Sequence, residues 1–141
     1  MGSEMCIRDR LPAGDVIAVP SEVIPEHNAL FAGFPCQPFS IIGKRRGFAD
    51  TRGTLFFEIA RILKDKQPEF ALLENVKMFA RHDGGRTLKT VLAALDDVGY
   101  RTFYKVLNAL DFGLPQKRER CLLYTSPSPR DLSTSRMPSS A

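Results

Sequence analysis

The chain has 141 residues, with 20 basic and 16 acidic side chains for a formal net charge of +4. That mild excess permits a nucleic-acid partner without demanding one, and no apolar run nears the roughly 18 residues that a membrane-spanning helix needs. Of the three cysteines, Cys36 alone falls between residues 11 and 120, so that stretch forms no internal disulfide, which fits a reducing cytosolic setting.

The two ends read as foreign. The first ten residues, MGSEMCIRDR, read as the translation of a transposase-based sequencing adapter started at GTG. From Cys121 onward, CLLYTSPSPRD reads as the same adapter in reverse complement, and SRMPSSA resembles the outer end of the library. The expectation is that residues 1–10 and 121–141 are adapter-derived and non-native, with 121–141 disordered. Such scars stand outside fold reasoning. The genuine segment is then 11–120.

Along that segment, residues 30–34 form a short apolar run ended by Pro35, and read as a buried strand. Residues 41–53 are rich in Gly, Lys, Arg and Asp and read as a loop, for which Gly43, Gly47 and Gly53 supply hinges. Over 54–66, Leu55, Phe56, Ile59, Ile62 and Leu63 make a helical stripe, with Pro68 beyond its end. Residues 70–73 are a second buried strand, ending at Glu74-Asn75. Over 87–98, Leu88, Val91, Leu92, Leu95 and Val98 again sit at helical spacing, and Gly99 suits the position just past a helix end. A further strand follows over 100–107. Strands alternating with helices imply a parallel, doubly wound α/β sheet, in which ligands bind beyond the carboxyl ends of the strands. Cys36 and Glu74 both fall just past a predicted strand, on that one edge.

Cys36 stands between Pro35 and Pro38, an odd setting for packing and a sensible one for a nucleophile whose direction must be fixed. A free thiol has a pKa of about 8.5, and its thiolate attacks soft carbon electrophiles well. A buried cysteine acting as a small hydrophobe is the plainer alternative.

Three separated blocks carry a resemblance. Pro35-Cys36-Gln37-Pro38-Phe39-Ser40, Glu74-Asn75-Val76 and Gln116-Lys117-Arg118-Glu119-Arg120 resemble, in order and spacing, blocks of the DNA (cytosine-5) methyltransferases. Arg52-Gly53-Thr54-Leu55-Phe56-Phe57 and Asn108-Ala109-Leu110-Asp111-Phe112-Gly113 also look like bacterial members. The resemblance covers essentially all of 11–120. It implies a partial, doubly wound, Rossmann-like fold of the S-adenosylmethionine-dependent methyltransferases, truncated at both ends.

By this resemblance Cys36 is the nucleophile that adds to C6 of a flipped cytosine, making C5 able to accept a methyl group from S-adenosyl-L-methionine. Glu74 is the acid at N3, and Arg118 and Arg120 hold the base and the adjoining backbone through their planar forks. Strand alternation puts both arginines on one face, with Lys117 and Glu119 on the other. Asp15 and Val16 match the block that binds the cofactor's adenine, and Pro35 and Leu55 match positions lining its pocket. Gln37 and Ser40 would touch the DNA backbone or the vacated space, and Lys44, Arg45, Arg46 and Arg52 would meet phosphates. No metal is implied.

The partner implied is double-stranded DNA, with no membrane, for a monomeric enzyme of the cytoplasm, bacterial or phage-encoded and nucleoid-associated. The setting is restriction–modification, with a cognate restriction endonuclease acting on the same site. A transfer-RNA cytosine-5 methyltransferase on the same scaffold is the alternative; Ser40 and the loop Gly43-Lys44-Arg45-Arg46-Gly47-Phe48 favour DNA. A truncated product without turnover of its own is the other.

Overall fold

The computed structural model describes residues 14–36 and 55–127. Strand β1, Ala29–Gly33, runs parallel to β2, Phe70–Val76, in a register that sets Gly33 opposite Glu74. One more backbone bond, from Phe34 N to Glu74 O at 3.3 Å, carries the ladder past the strand end. Pro35, which has no N–H, cannot extend it further.

Helix α1, Leu55–Lys66, buries Phe56, Ile59, Ala60, Ile62 and Leu63 along one stripe. Gln67 ends it. Its backbone turns left-handed, at φ 48°, and its side-chain amide donates to the orphan carbonyls of Leu63 and Lys64 at 3.1 and 3.2 Å. The same nitrogen lies 3.2 Å from Val98 O, at the end of helix α2, Arg86–Asp97. One side chain thus ties the two helix ends together. Gly99, at φ 96°, closes α2 as its position suggested.

Strand β3, Tyr100–Asn108, follows, and β4, Glu119–Pro127, completes a four-stranded sheet in the order β1-β2-β4-β3. Both neighbours of β4 are antiparallel to it. The α/β alternation therefore holds, but the sheet is mixed rather than all parallel. Both described helices feed one core, in which Phe56, Leu63, Val91 and Leu95 meet Leu73 and Leu123. The opposite face carries a row in register across all four strands, Phe31, Leu72, Tyr124 and Phe103, of which all but Leu72 are exposed.

Two further expectations are corrected. Glu74 lies within β2 rather than past its end, because β4 supplies a second partner that prolongs the strand to Val76. Residues 121–127, expected to be disordered, form most of β4. Cys121, Leu123 and Thr125 point into the core while Leu122, Tyr124 and Ser126 alternate outward, so the segment has the period a slot between two strands requires. Thr125 bonds Ala71 N through its hydroxyl at 3.0 Å.

A β4 that belongs to the fold makes a simple prediction. Leu123→Ala removes a side chain with no exposure and should cost about 2–5 kcal/mol in urea unfolding, whereas Tyr124→Ala, on the open face, should cost under about 1 kcal/mol. Equal and negligible effects would detach 121–127 from the core.

Candidate active site

The carboxyl ends of the paired strands β1 and β2 bring the sequence-nominated groups together. Glu74 is on the open face of the sheet, and its Oε1 forms an ion pair with Arg120 Nε at 2.7 Å. Arg120 faces Val76 across the β2–β4 ladder, a diagonal neighbour of Glu74 on the same face. Its Nη1 also donates to Glu119 O at 2.9 Å, so the guanidinium is braced by its own strand while it grips the carboxylate. With side-chain exposures of 29% and 42%, such a pair adds little stability. What it supplies is a fixed position for both groups.

Cys36 lies three residues beyond β1, half-buried against the edge of the core. The exit of the strand is anchored by Phe34, whose ring packs on Phe56 and Phe79, each with centroids 5.4 Å away. Burial pushes the Cys36 thiol above its ordinary value. Cys121, on the helix-covered face, is raised for the same reason. Both cysteines are free.

Arg118 is exposed and just precedes β4. The structure brings Arg120 to Glu74 but leaves Arg118 outside that ion pair. Asn108 controls where β4 begins. Its Oδ1 accepts from Leu110 N at 3.2 Å and from Arg118 N at 3.1 Å, and Ala109 N donates to Arg118 O at 3.0 Å. One amide thus closes the excursion between β3 and β4 and delivers the two arginines. The sequence reading quoted Asn108 without giving it a role; an Asn at a strand end ahead of a short turn was the available signal. Lys77 and Glu119 pair at 2.8 Å, and this lysine holds the Glu119 carboxyl below its usual range.

Asn75 was also missed. It is 2% exposed; its Oδ1 accepts from Val76 N at 2.8 Å, and its Nδ2 has no hydrogen-bond partner among the described residues. A buried amide donor left open beside the site is costly unless something outside these residues meets it.

Asp15 caps a 3₁₀ turn over Val16–Ala18, its Oδ1 accepting from Ile17 N at 3.0 Å. Arg61 of α1 holds that turn by donating to Val19 O at 2.9 Å, and is itself steadied by Glu58 at 2.8 Å. Val16 is half-buried, Pro35 is exposed, and Leu55 opens α1 partly packed on the core. Gln37, Ser40, Lys44, Arg45, Arg46 and Arg52 lie outside the described residues. Among the described residues no group of three His, Cys, Asp or Glu side chains could hold a metal ion, and no helix is long and apolar enough to cross a membrane.

The raised Cys36 pKa sets a pH dependence. The thiolate is the reactive form, so folding lowers its fraction at neutral pH. Iodoacetamide should alkylate Cys36 more slowly in the folded chain than in the denatured chain at pH 7.5, and the gap should close as pH rises above the folded pKa. Faster labelling in the folded state would mean that the site stabilises the thiolate instead.

Over 109 residues the chain is 62% identical to the Type II methyltransferase M.NgoBI of Neisseria gonorrhoeae and 56% identical to M.HhaI of Haemophilus parahaemolyticus. Each match takes in 77% of this chain, which spans about a third of those relatives' length, 34% and 33% respectively. Among solved structures, a DNMT2 from Spodoptera frugiperda superposes with a TM-score of 0.63 at 22% identity, over 84% of this chain and 36% of that one. A DNA modification methyltransferase encoded within an E. coli prophage gives 0.63 at 22%, over 87% and 34%. These last two establish likeness of fold. The family model for C-5 cytosine-specific DNA methylase matches residues 5–139, and the chain belongs to that family.

Proposed function

We propose that this segment is the central catalytic part of a DNA cytosine-5 methyltransferase, with Cys36 as nucleophile, Glu74 as acid and Arg120 and Arg118 as the groups that hold the base. The observation that carries it is the Glu74–Arg120 pair at 2.7 Å, at the strand ends from which Cys36 also emerges. It joins the Glu-Asn-Val and Gln-Lys-Arg-Glu-Arg blocks beside the Pro-Cys block.

Cytosine C5 is too weak a nucleophile to take a methyl group unaided. Addition of the Cys36 thiolate to C6 forms a C–S bond and drives electron density through C5 and toward N3. Glu74, as the carboxylic acid, donates its proton to N3 and so meets that charge, while Arg120, braced by Glu119 O, keeps the carboxyl group in place. S-adenosyl-L-methionine, when bound, supplies an electrophilic methyl. C5 takes that methyl, then loses its proton to a base, and the C–S bond breaks to restore the ring and the thiolate. The target carbon is unreachable in a stacked duplex, so the base is swung out first, at a cost of a few kcal/mol.

The residues on the adenine side suit the cofactor. Asp15 uses Oδ1 for its cap, which leaves Oδ2 to accept from an amine. Val16, Pro35 and Leu55 offer apolar surface around it. Gln37, Ser40, Lys44, Arg45, Arg46 and Arg52 are assigned to DNA on their motif positions. The enzyme so read acts as a cytoplasmic, nucleoid-associated monomer on double-stranded DNA, in restriction–modification beside a cognate endonuclease. We further propose that residues 1–10 and 121–141 are translated adapter; codons in the parent nucleotide sequence that differ widely from the adapter would end that idea.

In a complete enzyme carrying this segment, Cys36→Ser should abolish methyl transfer to DNA and leave DNA binding largely intact. Glu74→Gln should lower kcat by about 10²–10⁴-fold. Methylation that persists in Cys36→Ser, or that appears in transfer RNA alone, would reject the proposal.

A further inference from the structure

Gly33 is the register partner of Glu74, on the same open face. A Cβ built on Gly33 would stand 3.1 Å from Glu74 Oε2, closer than carbon and carboxylate oxygen ordinarily approach. The other carboxylate oxygen is held by Arg120 at 2.7 Å. The carboxylate is therefore bracketed, with a guanidinium from β4 on one side and bare backbone of β1 on the other.

Glycine is not here for its backbone freedom. Gly33 is not among the residues with positive φ, so alanine could adopt the same conformation. Gly33 is the last residue of β1, and one common reason to find glycine in a strand is the close approach of another group. We propose that Gly33 is a positioning residue for the acid, and that its missing side chain is the space in which the Glu74 carboxylate rests. This rests on the reading of Glu74 as the acid at N3. A methyl group at residue 33 would push Oε2 by a few tenths of an ångström, against or away from Arg120. The far end of a glutamate yields easily, so the fold absorbs the change. The chemistry does not, since a misplacement of about 1 Å can cost a hundredfold in rate.

The test is Gly33→Ala in a complete enzyme carrying this segment, read by thermal melting and by steady-state and single-turnover kinetics. The expected result is an unchanged or slightly higher Tm, an unchanged KM for DNA, and a kcat lower by about tenfold or more. In a Glu74→Ala background the same substitution should cause no further loss of single-turnover rate, because the group it displaces is gone. A wild-type kcat in Gly33→Ala, a further loss in the Glu74→Ala background, or a clearly lowered Tm would each overturn the inference. Full activity in Glu74→Gln would instead remove the reading of Glu74 on which it stands.

Discussion

The parallel pairing of β1 with β2, in the register that opposes Gly33 and Glu74, is the constraint from which the site follows. Side chains alternate along a strand, so a slip of one residue would exchange the faces of Glu74 and Asn75. The carboxylate would then be driven into the core and the amide out of it. The register is held by what the helix-covered face demands. Ala71 and Leu73 are fully buried between β1, α1 and β4, and Phe34 must reach Phe56 and Phe79. The core therefore decides where the acid points, though the acid contributes almost nothing to the core.

Insertion of β4 beside β2 does the rest. A parallel sheet alone would present Glu74 without a partner from the Gln-Lys-Arg-Glu-Arg block, which lies far along the chain. Because β4 runs antiparallel, its first residues meet the last residues of β2, and Arg120 arrives next to Glu74. Asn108 makes that arrival reliable by bonding both ends of the preceding excursion. The slot itself is undemanding. It asks for inward residues that fit and outward ones that alternate, which is why Cys121, Leu123 and Thr125 fill it whatever their origin.

Much of this was legible in the sequence, and the parts that were not share a cause. Helices α1 and α2 were readable from the spacing of Phe56, Ile59 and Leu63 and of Leu88, Val91 and Leu95, because amphipathic period is a local signal. Gly99 marked its helix end for the same reason. The true extent of β2 was not readable, since Glu74, Asn75 and Val76 are strand only by virtue of a partner near residue 120. The motif blocks pointed to Cys36, Glu74 and Arg120, of which Glu74 and Arg120 pair across β2 and β4. They could not tell Arg120, which grips the carboxylate, from Arg118, which does not. Nor could they reveal the role of Gly33, whose importance is an absence of atoms visible only when another side chain occupies the space.

The buried core and the Glu74–Arg120 ion pair lie on different faces of one sheet. The helix-covered face holds the buried apolar contacts, while Glu74 and Arg120 sit on the other face in a pair too exposed to stabilise the fold appreciably. Cys36 occupies the boundary, three residues past β1 and close enough to the core for burial to raise its pKa. A thiol kept neutral is shielded from adventitious alkylation and oxidation, which act on the thiolate. The separation of faces lets the site be altered one atom at a time, at Gly33 or Glu74, with the core left intact.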